Sequence, residues 1–380
     1  MFFQWSCVSY NESMIIKNNA GLKKGIYQFL KINRFNVEFS EALIRNIFIQ
    51  SPLIKDRLEL PNKGSDLIKF LEDKIESKLA KQGLVHATKN LLNLAISNQV
   101  NLLNPNLYLN NPFANHTLIA SQSSKGWRLV QESYKPFQMF VCGDVTTNEK
   151  TNFLEKNPIG FFKEPFQYLA LKKNNVIWMS ITPFEIETMK ATLSAANGTV
   201  IALGLGLGYF ATMAAMKSNV DKVIVVEKDI DVITLYQRHL QSILPNQHKI
   251  TIIQADAYEY LQGTIKADHI FVDIYRTSED GLPIYNAFKK IEMNRKDINW
   301  HYWLQDSILG LFRRYLMIYL DEQLQGLTNE NYQHARRIED KILAQIHKLN
   351  QSTTISNIAQ LQAWLSDKNI KEMLAKIDLD

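Results

Sequence analysis

The segment Leu203-Gly204-Leu205-Gly206-Leu207-Gly208-Tyr209-Phe210 places three alternating glycines between a short apolar run and a segment with helical spacing. Glycine there lets the backbone turn sharply and lets a ligand approach without a Cβ in the way. A dinucleotide-binding loop has the pattern G-x-G-x-x-G, and its third glycine position here is Tyr209, so the spacing disfavours an NAD-linked oxidoreductase. A glycine-rich turn between a strand and a helix is also often only a site of tight packing.

Short apolar runs alternate with helical segments from Gly198 onward. The runs lack polar alternation, as is typical of parallel strands covered on both faces, and they span 199–203, 222–227, 250–255, 268–273 and 298–304. The helical segments span 209–217, 230–242, 258–262 and 282–291. Alternating βα units predict an α/β fold with a doubly wound, mostly parallel Rossmann-like sheet.

Acidic residues follow three successive strands of this predicted sheet. Glu227 ends the second strand, Asp256 with Ala257 follows the third, and Asp273 follows the fourth. Ligands bind beyond the carboxyl ends of the strands in such sheets, and a carboxylate at the position of Glu227 accepts both ribose hydroxyl hydrogens. The acids and the glycine loop therefore predict one nucleoside-binding rim.

With these residues, positions 183–324 resemble a class I S-adenosylmethionine-dependent methyltransferase domain. The resemblance implies S-adenosylmethionine as the cofactor and methyl transfer to an acceptor as the reaction. It implies these cofactor contacts: Gly204, Gly206 and Gly208 under the methionine part, Glu227 at the ribose, and Asp256 with Ala257 at the adenine amino group.

Two features depart from that family. An acid usually stands two residues before the first glycine, and here that residue is Ala202. Asp273 is therefore our candidate to accept a hydrogen bond from the ammonium group of the cofactor. After the helix predicted over 306–323 we find no convincing hairpin for a sixth and seventh strand, so the sheet is expected to be truncated.

A second resemblance lies within the same fold. A small β element ahead of the cofactor domain, together with Gly281-Leu282-Pro283-Ile284-Tyr285, is similar to spermidine synthase-type aminopropyltransferases. Those enzymes carry two acids three residues apart after strand four, whereas the next acids after Asp273 are Glu279 and Asp280. Methyl transfer is therefore preferred. Aminopropyl transfer is one alternative, and a protein that binds the nucleoside without catalysis is another.

Three residues are candidates for catalysis. Methyl transfer is an in-line displacement that depends mainly on positioning, so few side chains are obligatory. Asp273 and Tyr275 follow the fourth strand, where Tyr275 either orients the acceptor or packs against the next helix. Asp306 follows the fifth strand and either acts as a base or caps a helix. Trp303 is placed to form a wall for an aromatic or extended acceptor.

The chain before the α/β domain divides into a helical region over 1–120 and a small antiparallel β element over 121–182. Within the latter, 166–171 and 176–181 flank a polar turn and predict a hairpin. Thr182-Pro183-Phe184-Glu185 carries a hydroxyl N-cap, a proline and a glutamate in the order typical of a helix start. That helix is either simply well capped or lines the mouth of the site. The methyltransferase-like domain spans 183–325, and a helical tail spans 326–380.

Composition further limits the classes of function that the chain can have. Forty-three Lys and Arg against 38 Asp and Glu give a net charge of +5 without a block of like charge, so nucleic-acid binding is not indicated. Cys7 and Cys142 fit neither a zinc nor a disulfide pattern, and no metal site is identified. The start lacks the features of a signal peptide, and no run approaches the ~20 apolar residues of a membrane span. We expect a cytoplasmic protein, with the acceptor and the oligomeric state left open.

Overall fold

The computed structural model describes residues 14–17, 19–48, 61, 64–114, 121–326 and 337–379. The helices are α1 Ala20–Leu43, α2 Gly64–Ala80, α3 Lys89–Ile96, α4 Asn106–Leu109, α5 Pro183–Ala195, α6 Tyr209–Ala215, α7 Ile230–His239, α8 Ala257–Gln262, α9 Ser278–Glu292, α10 Gln305–Leu324, α11 Ile338–Asn350, α12 Ile358–Trp364 and α13 Asp367–Leu374. The strands are β1 Ile15–Ile16, β2 Val100–Leu102, β3 Gln122–Ser124, β4 Trp127–Tyr134, β5 Phe140–Val141, β6 Ile159–Phe161, β7 Phe166–Lys173, β8 Val176–Ser180, β9 Gly198–Leu203, β10 Val220–Glu227, β11 Ile250–Gln254, β12 His269–Val272, β13 Asn299–Tyr302 and β14 Thr354–Ile355.

A parallel sheet of five strands forms the centre of the molecule, in the order β11-β10-β9-β12-β13. All neighbouring pairs are parallel, and each strand overlaps the range predicted for it. The strand centres are buried, as Val200, Ile201 and Ile270 illustrate with no exposed surface. The prediction of an α/β fold with a parallel sheet is therefore confirmed. Strand order reverses at β9, because β10 and β11 lie on one side of it and β12 and β13 on the other.

The chain after α10 contributes helices. Within 337–379, the described part of the tail, α11, α12 and α13 surround one short strand, β14, which pairs in parallel with β1 and not with the central sheet. In the described residues the central sheet thus ends at five strands, as the missing hairpin in the sequence led us to expect. The helix α10 packs against α1, α9, α11 and α13 and so joins the tail to the sheet.

A four-stranded antiparallel sheet, ordered β3-β4-β7-β8, precedes the parallel one. The predicted hairpin is confirmed as β7 and β8, and its turn residues Asn174 and Asn175 adopt φ angles of 48° and 68°. Asparagine tolerates this left-handed conformation better than most residues. The apolar run at 138–142 forms β5, which pairs with β6 in a separate three-stranded sheet.

The helix α5 begins at Pro183, with Thr182 in the N-cap position, as the sequence indicated. The Thr182 side chain makes no capping hydrogen bond. Glu185 turns into the interior, where 8% of it is exposed, and its carboxylate lies near the backbone of Ser180 at the end of β8. The expected cap is therefore not formed, and the Thr182 hydroxyl instead accepts a hydrogen bond from Oγ of Ser180 at 3.5 Å.

Two hydrophobic cores hold these layers together. The larger core includes the parallel sheet, the four-stranded sheet and the C-terminal helices. The smaller core joins the second half of α1 to α2, α3 and β6, with Phe35, Phe39 and Leu71 at its centre. Because both sheets share the larger core, the four-stranded sheet is fixed close to the parallel one. No helix among the described residues combines the length and the apolar character needed to cross a bilayer.

Candidate functional site

A cavity of about 630 Å³ lies at the carboxyl ends of the central strands. Its walls come from the segments that follow β9, β10, β11, β12 and β13, from α5, and from the four-stranded sheet. This is the edge at which open α/β sheets bind their ligands, next to the strand where the order reverses.

The glycine loop forms part of the cavity wall. Gly204 and Gly206 line the cavity and have φ angles of 101° and 52°. A Cβ on Gly204 would lie 2.1 Å from the carbonyl oxygen of Asp273, and one on Gly206 would lie 2.1 Å from Sδ of Met179. Any larger residue at either position would therefore push the loop into the cavity or away from its neighbours.

Gly208 has a different role from the other two glycines. It is the residue before α6, has a φ angle of 74°, and is not part of the cavity lining. A Cβ at this position would lie 2.2 Å from the ring of Tyr236. The third glycine thus permits close packing of α6 against α7, and the structure does not bring it into contact with the cavity.

Glu227, at the end of β10, is held in a fixed orientation. Its Oε2 accepts the backbone N–H of Leu205 at 3.0 Å, and its Oε1 accepts that of Asp229 at 2.8 Å. Each oxygen has a second lone pair with which to accept a hydroxyl hydrogen. The carboxylate lines the cavity and is already oriented by the backbone.

Asp256 and Ala257 line the cavity beyond β11. Asp256 is the N-cap of α8, where Oδ1 accepts the N–H groups of Tyr258 and Glu259 at 2.9 and 3.3 Å. Its Oδ2 accepts from Nζ of Lys228 at 3.1 Å. Burial alone would raise the pKa of Asp256. The hydrogen bonds and the charge of Lys228 outweigh that effect and lower the pKa below its ordinary value. Asp256 therefore has a structural role in addition to the predicted adenine contact.

Asp273 and Glu185 form the acidic part of the cavity. Burial raises the pKa of Asp273 to about 7, and the negative charge of Glu227 adds to this shift. Burial and then the charge of Asp273 raise the pKa of Glu185 well above its ordinary value, against the opposing hydrogen bond from Ser180. Both side chains line the cavity. Three carboxylates, from Glu185, Asp273 and Glu227, thus share one cavity.

The sequence interpretation assigned no chemistry to Glu185. It noted only that the start of α5 either is capped or lines the mouth of the site, and the second alternative is confirmed, since Glu185 faces the cavity. One feature of the sequence could have indicated this position. Glu185 is an acid in the first turn of a helix that directly follows a strand of the four-stranded sheet.

Tyr275 and Trp303 form the aromatic wall of the cavity next to β12 and β13. The Tyr275 hydroxyl donates to the carbonyl oxygen of Trp303, and its ring packs against Gly281 in α9. The packing alternative for Tyr275 is therefore confirmed, and because the residue also lines the cavity, its role toward an acceptor stays a prediction. Nε1 of Trp303 donates to Oγ1 of Thr188 at 2.9 Å, and the ring meets Phe184 edge-on with centroids 6.0 Å apart.

Asp306 is not part of the cavity lining. The expectation that it caps α10 is wrong, because the helix begins at Gln305 and Leu304 occupies the N-cap position. Asp144 instead accepts the backbone N–H groups of Asp306 and Ser307 at 3.1 and 3.4 Å. Asp306, the candidate base, thus lies in the first turn of α10, where Asp144 accepts the free backbone N–H groups. It does not belong to the side chains that line the cavity.

The four-stranded sheet covers the side of the cavity near β10, through residues that the sequence interpretation did not identify. Nε1 of Trp127 donates to Oδ2 of Asp229 at 2.8 Å, and Nζ of Lys173 lies 3.5 Å from the same atom. Trp178 meets Trp127 edge-on, and Oγ of Ser124 donates to Asp231 at 3.0 Å. These contacts fix the covering sheet to the start of α7.

The described residues contain no group of three or more His, Cys, Asp or Glu arranged to hold a metal ion. Cys142 is buried as a free thiol, and Cys7 lies outside the described residues. His269 lies at the start of β12, away from the cavity, and bonds to His301.

Comparisons with known proteins give structural neighbours only. No protein-family model and no curated protein matches the chain. Spermidine synthase from Thermotoga maritima is 19% identical over 44% of this chain and 50% of its own, with a TM-score of 0.25. Precorrin-6y C5,15-methyltransferase from Geobacter metallireducens is 18% identical over 22% and 45%, with a TM-score of 0.19. Precorrin 8w decarboxylase from Methanobacterium thermoautotrophicum is 21% identical over 30% and 57%, with a TM-score of 0.23.

The chain spans about half the length of the solved structures that it matches.

Proposed function

We propose that this chain is an S-adenosylmethionine-dependent methyltransferase with an acceptor still to be identified, and that residues 183–325 form its doubly wound catalytic domain. One observation carries the proposal. Glu227, Asp256 and Asp273, which follow three strands of the parallel sheet, line one cavity together with Gly204 and Gly206. An arrangement of this kind matches a nucleoside ligand with a cationic end better than it matches a pyrophosphate.

The residues present fit that cofactor. Glu227 offers two oriented oxygens for the ribose hydroxyls, and Asp256 with Ala257 borders the place of the adenine. Val226 and Ile230 add apolar surface for the base. S-adenosylmethionine would supply an activated methyl group, and the side chains would hold the donor and the acceptor in line.

Asp273 is suited to a cationic partner. A carboxylate whose pKa burial raises to about 7 costs free energy to ionise when no cation lies beside it. An ammonium group placed beside it offsets that cost and stabilises the charged form. We therefore assign Asp273 to the ammonium group of the cofactor, and Tyr275 to the wall that aligns the acceptor.

Aminopropyl transfer is the second candidate, and one observation favours it. Among the described residues, the only basic side chains that line the cavity are Lys173 and Lys228, and both lie near β10 and β11. No basic side chain in the described part of the chain lines the cavity beside Asp273 to hold the carboxylate of S-adenosylmethionine, and the guanidinium of Arg276 packs over the ring of Trp178. Decarboxylated S-adenosylmethionine carries no such group. The missing second acid after β12 argues against this candidate.

Transfer of a labelled methyl group tests the proposal. The protein is incubated with methyl-labelled S-adenosylmethionine and a cell extract, and Glu227→Ala serves as the matched inactive variant. We expect label to pass to an acceptor with the wild-type protein and not with the variant. Label that stays on the nucleoside, in a protein that nevertheless binds it, would contradict the proposal and favour a binding role.

A further inference from the structure

The charges that line the cavity are unbalanced. Five lining side chains are acids and two are lysines. Each lysine is paired near β10 and β11, since Lys173 lies 3.5 Å from Asp229 and Lys228 lies 3.1 Å from Asp256. Three carboxylates, Glu185, Asp273 and Glu227, therefore face the cavity without a basic partner among the residues that the structure describes.

These three carboxylates follow the edge of the sheet in order. Glu227 ends β10, and Asp273 follows β12, where its carbonyl oxygen faces Gly204. Glu185 comes from α5, and its helix neighbours Phe184 and Thr188 both contact Trp303, which follows β13. Glu185 thus lines the cavity from the same helix that contacts the aromatic wall.

Glu185 is buried to more than nine-tenths and faces the cavity. No basic side chain in the described residues forms an ion pair with it, and only the nearby backbone of Ser180 opposes the rise in its pKa. A buried carboxylate without a cationic partner is costly, so a site of this kind is completed by a ligand that brings positive charge.

The aromatic wall offers ring surface and few polar atoms. The hydroxyl of Tyr275 is bonded to the Trp303 carbonyl, and the indole N–H of Trp303 is bonded to Thr188. The faces of such rings attract cations, with Trp the strongest. Carboxylate and aromatic surface together match an organic ammonium group and exclude an anion.

We infer that the acceptor of the proposed methyl transfer is an amine, bound as an ammonium ion between Glu185 and the rings of Trp303 and Tyr275. This inference rests on the proposed function and names the substrate class for the same cavity. Asp273 and Glu227 remain with the nucleoside ligand.

The same geometry gives Glu185 a task in the reaction. An ammonium nitrogen has no free electron pair, so it must lose a proton before it acts as a nucleophile. The N–H bond breaks, the proton passes to a carboxylate oxygen of Glu185, and the nitrogen keeps the electron pair. A carboxylate that burial makes more basic than usual is suited to this step.

Calorimetric titration of the full chain tests the inference. The protein is first saturated with S-adenosylhomocysteine and then titrated with two matched sets of amine, alcohol and acid. The aliphatic set is butylamine, butanol and butyrate, and the aromatic set is phenethylamine, phenethyl alcohol and phenylacetate. We expect an amine to bind at least about tenfold more tightly than its alcohol or acid, because a charge-assisted contact is lost in those partners. Equal binding of an alcohol, or no amine binding to the loaded protein, would overturn the inference.

Two variants on one helix supply the control. Glu185→Gln keeps the shape of the side chain and should weaken amine binding by about tenfold. Glu187→Gln changes an acid that pairs with Lys190 at 2.6 Å and lies outside the cavity lining, so it should leave amine binding unchanged. Unchanged amine binding in a folded Glu185→Gln protein would also overturn the inference.

The nucleoside ligand also carries an ammonium group, so Glu185 could contact the ammonium of the cofactor or that of the acceptor. A third probe distinguishes these two cases. If Glu185→Gln weakens S-adenosylhomocysteine but not methylthioadenosine, which lacks the amino-acid end, then Glu185 serves the cofactor and the amine inference is wrong. Failure of wild-type protein to bind S-adenosylhomocysteine would overturn the proposed function itself. Failure of the amines alone would overturn only this inference.

Discussion

The Oε2 atom of Glu227 accepts a hydrogen bond from the backbone N–H of Leu205 at 3.0 Å. This contact joins the end of β10 to the glycine loop that follows β9, in the middle of the cavity wall. The acid that we assign to the ribose therefore also fixes the loop that we assign to the methionine part of the cofactor. Removal of this one side chain should affect both.

Replacement of Glu227 by alanine should strongly weaken S-adenosylhomocysteine binding. Two charge-assisted hydrogen bonds to the ribose and the support of the loop are lost, which corresponds to about 2 kcal/mol or more, or roughly 30-fold in Kd. Calorimetry measures the effect, with Asp221→Ala as the control because Asp221 is an exposed acid near the start of the same strand. Retained affinity for S-adenosylhomocysteine in a folded Glu227→Ala protein would contradict the assignment of Glu227 to the ribose.

Replacement of Gly206 by alanine should destabilise the protein and reduce ligand binding. The new methyl group would meet Sδ of Met179 at 2.1 Å, at a φ angle of 52° that non-glycine residues rarely adopt. We expect a loss of about 1 to 3 kcal/mol in the free energy of unfolding, measured by chemical denaturation. Gly64→Ala is the control, since a Cβ there contacts nothing within 4 Å, and it should not destabilise the protein. Similar stability in the two variants would contradict the close packing of the loop.

The stability of the ligand-free protein should fall as the pH rises from about 4 to 7. Asp273 has a pKa of about 7 when folded against 3.8 as the ordinary value, so in this window the folded state binds more protons than the unfolded state. Asp273→Asn should reduce this slope, with the part that Glu185 contributes remaining, and should be about 2 to 4 kcal/mol more stable than wild type above pH 7, at ~1.4 kcal/mol per pKa unit.

Denaturation at several pH values measures this slope. Asp297→Asn, at an exposed position, is the control that should keep the wild-type slope. An Asp273→Asn protein with an unchanged slope would show that the cavity does not hold this carboxylate in its neutral form.

A histidine pair on the sheet, away from the cavity, should make folding stability fall as the pH falls, which is the reverse of the effect of Asp273. Nδ1 of His269 and Nε2 of His301 lie 3.0 Å apart, so one ring nitrogen must accept. Burial is the main cause that lowers the pKa of both side chains below the ordinary 6.5. The unfolded chain then binds more protons below about pH 6.5, and stability is lost as the pH falls.

His301→Gln should lose less stability than wild type as the pH falls below about 6.5. The exposed His248 provides the control variant, His248→Gln. Identical acid slopes in wild type and His301→Gln would contradict the buried pair.

The buried contact between Arg314 of α10 and Glu155 should be costly to break from one side only. Glu155 is only 4% exposed, and Nε of Arg314 donates to its Oε1 at 2.9 Å. Arg314→Leu leaves this carboxylate buried and unpaired, and we expect a loss of about 3 to 5 kcal/mol in the free energy of unfolding. The double variant with Glu155→Leu should recover most of it. A double variant no more stable than Arg314→Leu would contradict this explanation.

The central sheet was predictable because its signal is local. A parallel strand covered on both faces is a short apolar run, and the acids at positions 227, 256 and 273 directly follow such runs. Their presence on one cavity wall then follows from topology alone, since parallel strands end at the same edge.

The rest of the site depends on contacts between distant segments. Trp127 and Lys173 reach the cavity because the covering sheet packs onto the start of α7, and no local pattern in 121–182 indicates this. The local pattern predicts a capping role for Glu185, and only the packing of α5 shows that this side chain is buried and lines the cavity. Asp306 is displaced from the expected cap because Asp144, distant in sequence, satisfies the helix start.

Calorimetric titration of the purified protein with S-adenosylmethionine, S-adenosylhomocysteine, decarboxylated S-adenosylmethionine and NAD tests the central claim most directly. We expect the first two to bind in preference to NAD, and to lose affinity in Glu227→Ala. Preference for the decarboxylated form would shift the assignment to aminopropyl transfer. Binding of none of the adenosyl ligands to the folded protein would contradict the claim that this cavity is a nucleoside site.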